Sequence, residues 1–236
     1  MIYKRIVKVI CLSLTFVMMI GVCGCMESRY PSFTKDELSE YLKKKYGTEF
    51  TFLEPMDDRQ PETYSYSAYF TCAELSNKRI LAKAYVVDES NEKLYADNYY
   101  AVLYEDESRE ILEKIANSVY PDSKCIYEID ETTVSPNSGM NTISIDDYLM
   151  SSTSGLYLTI ILPSKHDLQN KENEANLLAK SLIERKIVCT CKVIYTVSEE
   201  GFNSFDSDSP TSFAANRATG YIYINDDLEV RKIEWR

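Results

Sequence analysis

The run Thr63-Tyr64-Ser65-Tyr66-Ser67-Ala68-Tyr69-Phe70-Thr71-Cys72, followed shortly by Arg79-Ile80-Leu81-Ala82-Lys83-Ala84-Tyr85-Val86-Val87, sets the fold class of this chain. In the first run Tyr64 and Tyr66 alternate with Ser65 and Ser67, the two-residue period of a half-exposed strand. The second reads the same way, and the two are expected to form an antiparallel pair. Strands that follow one another directly, among helices that do not alternate with them regularly, indicate an α+β fold with antiparallel sheet packed against amphipathic helices.

Towards the N-terminus, Phe33-Thr34-Lys35-Asp36-Glu37-Leu38 combines a capping box (Thr34 with Glu37) and a hydrophobic staple (Phe33 with Leu38). Leu38, Tyr41, Leu42 and Tyr46 continue one face, and Gly47 suits the position after the last turn, which predicts a helix ending at Tyr46. Glu49 to Leu53 reads as a strand, and Asp57-Asp58-Arg59-Gln60-Pro61 as a polar break.

Towards the C-terminus, Asn98 to Tyr104 is expected to add a strand. Ile111, Leu112, Ile115, Ala116 and Val119 form a helical stripe that Pro121 ends, with Glu110 and Lys114 four apart on its wet side. Lys124 to Ile129 is a further strand. Residues 132–141, rich in Thr, Ser, Pro, Asn and Gly, are the expected linker or surface loop between an α+β subdomain at 33–131 and a second at 142–236, two similar halves without a repeat at residue level. The second half is predicted to hold a short helix at Ile145 to Met150, a strand at Leu156 to Leu162, a helix from about Leu168 to Arg185 and a β-branched strand at Ile187 to Val197. A polar loop at Ser198 to Ser212 and a hairpin from Thr219 to Trp235, turning at Asn225-Asp226-Asp227, complete it.

The N-terminus has a different character. Lys4, Arg5 and Lys8 precede an apolar stretch from Val9 to Gly21 that only Ser13 and Thr15 interrupt. As a helix, Val9 to Val22 spans ~21 Å, short of the ~30 Å hydrocarbon layer, which favours a cleaved signal over a permanent anchor. Val22-Cys23-Gly24-Cys25 then resembles the lipobox of bacterial lipoproteins, in which an aliphatic residue and two small ones precede the lipidated cysteine. Cys23 stands where that pattern usually has Ala or Ser. The resemblance covers this segment alone. It implies a signal peptide at 1–24 with Val22, Cys23 and Gly24 read by the signal peptidase, Cys25 as the lipidated residue, and a polar stem at 25–32. Reading Cys23 as the acceptor would instead put bulky Val22 at the cleavage position. Two or three acyl chains, at about 0.8 kcal/mol per buried methylene, hold a protein on a membrane where one chain is marginal.

The formal charge of −11 rises in magnitude once the basic signal residues are removed. No basic stripe exists to neutralise phosphates, which argues against nucleic acid and against anionic lipid binding by the folded surface. Besides Cys25, the remainder holds Cys72, Cys125, Cys189 and Cys191. Outside the cytoplasm a Cys72–Cys125 bridge is open, but small buried hydrophobes are the favoured reading of all four. With His166 the only histidine, no zinc-ligand spacing is present, and no metal or other cofactor is expected.

No catalytic set assembles in the sequence. Asp57-Asp58, Asp146-Asp147, Asp206 with Asp208, and Asp226-Asp227 are acidic neighbours without a specified use, and Phe205-Asp206-Ser207-Asp208-Ser209 lacks the Gly and distant Glu of a calcium loop. Ser164 and His166 lie in a loop before a helix capped by Asp167, which makes His166 a surface residue. Asp88, Glu89 and Asp97 are candidate members of a carboxylate-based hydrolase site that would meet only in three dimensions. The chain has 19 tyrosines, and Tyr64, Tyr66, Tyr221 and Tyr223 form a candidate binding face. If Ile222 and Ile224 are buried, Tyr221 and Tyr223 must point the other way. These features together lead to a membrane-anchored extracytoplasmic lipoprotein of the cell envelope, a non-catalytic module binding another envelope or extracellular protein, with a small-ligand or glycan receptor as the alternative.

Overall fold

The computed structural model describes residues 32–56, 65–76, 78–87, 92–129, 143–151, 155–205 and 216–236, and the backbone of 135–136. Two compact units separate at Ser32, and the fold below is that of Phe33–Arg236. It is α+β, with two five-stranded sheets, each covered by helices.

The first element is the helix α1 (Lys35–Tyr46). Glu37 N–H donates to the Thr34 hydroxyl (3.2 Å) and Thr34 N–H donates to the Glu37 carboxylate (2.9 Å), closing the capping box. Gly47 ends the helix at φ 73°, a left-handed conformation that a side chain would resist. Leu38 and Leu42 are fully buried. They meet a sheet of β1 (Thr51–Pro55), β2 (Ser65–Thr71), β3 (Ile80–Val87), β4 (Glu92–Asp97) and, after a gap in sequence, β6 (Ser135–Pro136), in the order β1-β2-β3-β4-β6. β2 and β3 pair antiparallel, with Ala68 opposite Ala82 and Phe70 opposite Ile80. These four side chains face α1, and the small alanines let helix and sheet approach closely.

Between β4 and β5 in the chain lie α2 (Tyr99–Leu103) and α3 (Glu105–Val119). The strand expected at Asn98 to Tyr104 is therefore a helix, and the strand ends at Asp97. Local polar chemistry explains the switch. Asp97 accepts from Tyr99 N–H (3.0 Å) and Asn98 Oδ1 accepts from Leu81 N–H (2.7 Å), so side chains take over the bonds that would extend the ladder. Tyr99 packs in the first core and Ala101 in the second, so α2 bridges the two.

The second sheet is ordered β10-β9-β8-β7-β5, from β5 (Lys124–Ile129), β7 (Leu156–Leu162), β8 (Thr190–Thr196), β9 (Asn216–Ile224) and β10 (Val230–Trp235). Its pairs are antiparallel except β7 with β8, whose parallel pairing is made by the crossover helix α5 (Lys171–Glu184). Leu158, Ile160, Val193 and Ile222 face Leu112 of α3 and Leu178 and Leu182 of α5 in one core. The short helix α4 (Ile145–Leu149), with its own Ser144–Asp147 capping box, adds Tyr148 and Leu149.

Two further features differ from the sequence reading. β5 lies within 33–131 yet pairs with β7, and β6 lies beyond it yet pairs with β4, so the chain crosses between the sheets three times, after β4, after β5 and after β6, rather than once at 132–141. Residues 132–134 and 137–141 of the expected linker are outside the described residues. The loop expected at Ser198 to Ser212 begins with the helix α6 (Glu199–Asn203), capped by the Ser198 hydroxyl, which accepts from Gly201 N–H (3.0 Å).

Cys72, in the first core, and Cys125, beside the second, are free thiols, as are Cys189 and Cys191, whose sulfurs lie 3.6 Å apart. Burial pushes the Cys125 thiol up to about 11, which makes it a poor nucleophile. Among the described residues no helix is long and apolar enough to cross a membrane.

Candidate binding surface on the second sheet

The alternation in β9 sends Ile222 and Ile224 into the core and Tyr221 and Tyr223 to the opposite face, where their rings stack at 6.3 Å and 11°. Pairing carries the pattern across the sheet. Thr190 of β8 stands between Tyr157 of β7 and Tyr223 of β9, and in the next row Lys192 stands between Thr159 and Tyr221. At ~4.8 Å per strand, Tyr157 and Tyr223 are ~9.6 Å apart at the backbone with small Thr190 between them. Tyr157 is 46% exposed.

Cations border these rings. Arg236 lies 5.4 Å from the Tyr221 ring centre and Lys192 6.0 Å from it. Lys232, opposite Tyr223 on β10, pairs with Glu234 at 2.7 Å. The end of the sheet opens into a cavity of about 510 Å³ whose lining includes Tyr157, Thr190, Tyr223, Asn225, Arg231 and Lys232. At the other end, Phe202 of α6 and Phe205 just beyond it pack over Ile126, Ile161 and Ile194, so among the described residues a helix covers that end of the face and none covers the tyrosine end.

Two polar clusters elsewhere, one buried and one half-buried, tie elements of the fold together. Asp97, 2% exposed, accepts from the Tyr41 hydroxyl (2.5 Å), the Tyr46 hydroxyl (2.6 Å) and Lys45 Nζ (2.8 Å) as well as Tyr99 N–H. Burial first, and then the Asp97 charge, hold both phenols well above the usual tyrosine range. Every lone-pair direction of Asp97 is used, which leaves no place for a reacting group. His166 is half-buried rather than free on the surface. It packs between the Tyr120 and Tyr195 rings, with Nε2 3.0 Å from Glu174, which also accepts from the Tyr195 hydroxyl at 3.1 Å. Ser164 donates to Glu199, not to His166, at 2.7 Å.

The sequence candidates are scattered. Val22, Cys23, Gly24, Cys25 and Tyr64 lie outside the described residues, as do Asp57, Asp58, Asp88, Glu89, Asp206 and Asp208. Tyr66 sits opposite Ala84 and packs against the first core, on the other sheet from Tyr221 and Tyr223. Asp147 is spent on its cap, and Asp226 occupies the β9–β10 turn. Among the described residues no group of three or more His, Cys, Asp or Glu could hold a metal ion. Sequence reasoning missed Tyr157, Thr190 and Arg231. The apolar run Leu156 to Leu162 masks Tyr157, and the signal available was its place between Leu156 and Leu158, which bury on the opposite side.

No family model matches the chain, and no curated protein matches it. Among solved structures it is similar to a DUF5037 family protein from Ruminococcus gnavus ATCC 29149, at 13% identity and a TM-score of 0.39, over 84% of this chain and 94% of that one.

Proposed function

We propose that this chain is a lipid-anchored extracytoplasmic protein, tethered through Cys25, whose folded unit is a non-catalytic module that binds another envelope or extracellular protein. The observation that supports the binding role is the tyrosine end of the second sheet, which no described helix covers. Three tyrosines bordered by Lys192, Lys232 and Arg236 offer rigid amphipathic rings at low entropic cost, the composition favoured at contact surfaces. The signal-like N-terminus supports the location. A second reading, a receptor for a small ligand or glycan, is favoured by the cavity beside Tyr157 and Tyr223.

The test is crosslinking on intact producing cells, followed by mass spectrometry, of the natural chain, Cys25→Ala and the double variant Tyr221→Ala/Tyr223→Ala. The expected result is a stoichiometric partner reduced about tenfold by the tyrosine changes at unchanged folding, and lost from the membrane fraction with Cys25→Ala. A partner retained in full by the tyrosine variant would remove this face from the interaction, and no lipid on Cys25 would remove the anchor.

A further inference from the structure

We propose that the cleft between Tyr157 and Tyr223 is a binding site for a carboxylate-bearing sugar ring, a hexuronate residue. The inference goes beyond the protein-partner reading and rests on the second one, a receptor for a small ligand or glycan, to which it gives a ligand chemistry.

Shape comes first. Thr190 is the cross-strand partner of both Tyr157 and Tyr223, so two aromatic walls rise on either side of a short β-branched floor. A separation of ~9.6 Å between the wall backbones admits a single six-membered ring against one or both tyrosines. The cavity of about 510 Å³ is in the range of small-ligand sites and exceeds the volume of one ring, so a chain of sugars could enter at the sheet end.

Polarity separates a sugar from a plain aromatic ligand. The lining residues include Thr190, Asn225 and Asp226, whose hydroxyl, amide and carboxylate are groups that hydrogen-bond hydroxyls. Asn225 uses its Oδ1 to accept from Glu229 N–H at 2.8 Å, which fixes the side chain and leaves the amide hydrogens for a ligand. A flat hydrocarbon would bury these groups without partners.

Charge selects the acid. Lys232 and Arg236 share the Glu234 carboxylate, whereas no described carboxylate pairs with Arg231, which stands at the lip on the irregularity of β10 between Val230 and Lys232. In a chain of net charge −11, an uncompensated guanidinium beside an aromatic slot offers a bidentate seat for a carboxylate. Asp226, at the same rim, opposes a second negative group and favours one carboxylate per ring over a densely charged polyanion.

The test titrates the full chain in detergent with D-glucuronate and oligogalacturonate, and with D-glucose as the neutral counterpart, by calorimetry. The acidic probes are expected to bind at least tenfold more tightly than glucose, and a gain from monomer to oligomer would identify a polymer as the source. Arg231→Gln should erase the acid preference, and Thr190→Tyr, which fills the slot on a solvent-facing strand position, should remove binding at an unchanged melting temperature. Equal affinity for acidic and neutral sugars, no binding of any probe, or binding indifferent to Thr190→Tyr would overturn the proposal. A crosslinked protein partner without uronate binding would overturn this inference alone, and uronate binding without a protein partner would overturn the protein-partner reading alone.

Discussion

Asp97 decides how β4 meets α1 and α2. Its side chain and that of Lys45 are 1% and 8% exposed, and the pair is enclosed by Tyr41, Tyr46 and Tyr99. Tyr46 and Tyr99 stack at 3.9 Å, with the Lys45 ammonium 5.1 Å from the Tyr46 ring centre. A buried ion pair adds little net stability against an apolar replacement, but breaking one leaves a charge with no solvent and no partner. Asp97→Ala is expected to destabilise the fold by about 3–5 kcal/mol, because Lys45 and two phenols lose their acceptor together. Urea unfolding checks this, and a loss below about 1 kcal/mol would mean that water reaches the cluster. From sequence Asp97 read as a possible catalytic carboxylate. Its partners are some fifty residues away in α1, so no local pattern could reveal the network.

At the scale of elements, the hairpin of β9 and β10 depends on one close approach. Gly220 pairs with Trp235, and a Cβ at Gly220 would lie 2.5 Å from the indole ring. The indole packs on Tyr195 at 5.8 Å and beneath Lys171 at 5.1 Å, joining the sheet edge to the start of α5. Gly220→Ala is expected to cost about 1–3 kcal/mol by overpacking. Trp235 is the only tryptophan, so its emission should shift red as the ring is pushed towards water. An unshifted spectrum and melting temperature would show that β10 moves away freely. Elements such as α1 and β7 were legible in the sequence because their signals are local: a capping box, a glycine stop, an unbroken β-branched and apolar run. The segment 98–104 and the helix α6 were not, because side chains of Asp97, Asn98 and Ser198 redirected the backbone against the prevailing pattern.

Across the whole molecule, buried tyrosine couples stability to alkaline pH. Burial pushes the Tyr99 and Tyr127 phenols up to about 12, and raises Tyr41, Tyr46, Tyr120, Tyr148 and Tyr195 further. A phenol whose folded value lies above its unfolded value of 10.0 gives stability that is intact below pH ~10 and is lost as pH rises through the folded value. The melting temperature should therefore fall steeply above pH ~10, with phenolate absorbance of these seven rings appearing together with the loss of helical ellipticity. Gradual ionisation without unfolding would mean that the rings are solvated. Carboxyls act at the other end. Hydrogen bonds hold Glu37 (chiefly from Lys93), Asp147 (from Ser144) and Glu234 (chiefly from Lys232) below their usual range, a small contribution present at neutral pH and lost as acid protonates them.

By itself the sequence determined the α+β class, most element positions, the opposite orientation of Ile222 and Tyr221, and the signal-like N-terminus, because each follows from local periodicity, capping chemistry or composition. Tertiary structure alone decided that β5 joins the second sheet, that β7 and β8 run parallel around α5, that His166 packs beside Tyr120 and Tyr195, and that Tyr157, Thr190, Tyr223 and Arg231 line one cleft. Those outcomes depend on which strand lies beside which. That choice is made by long-range burial of the two cores, to which residues far apart in the chain contribute and which no short window of sequence contains.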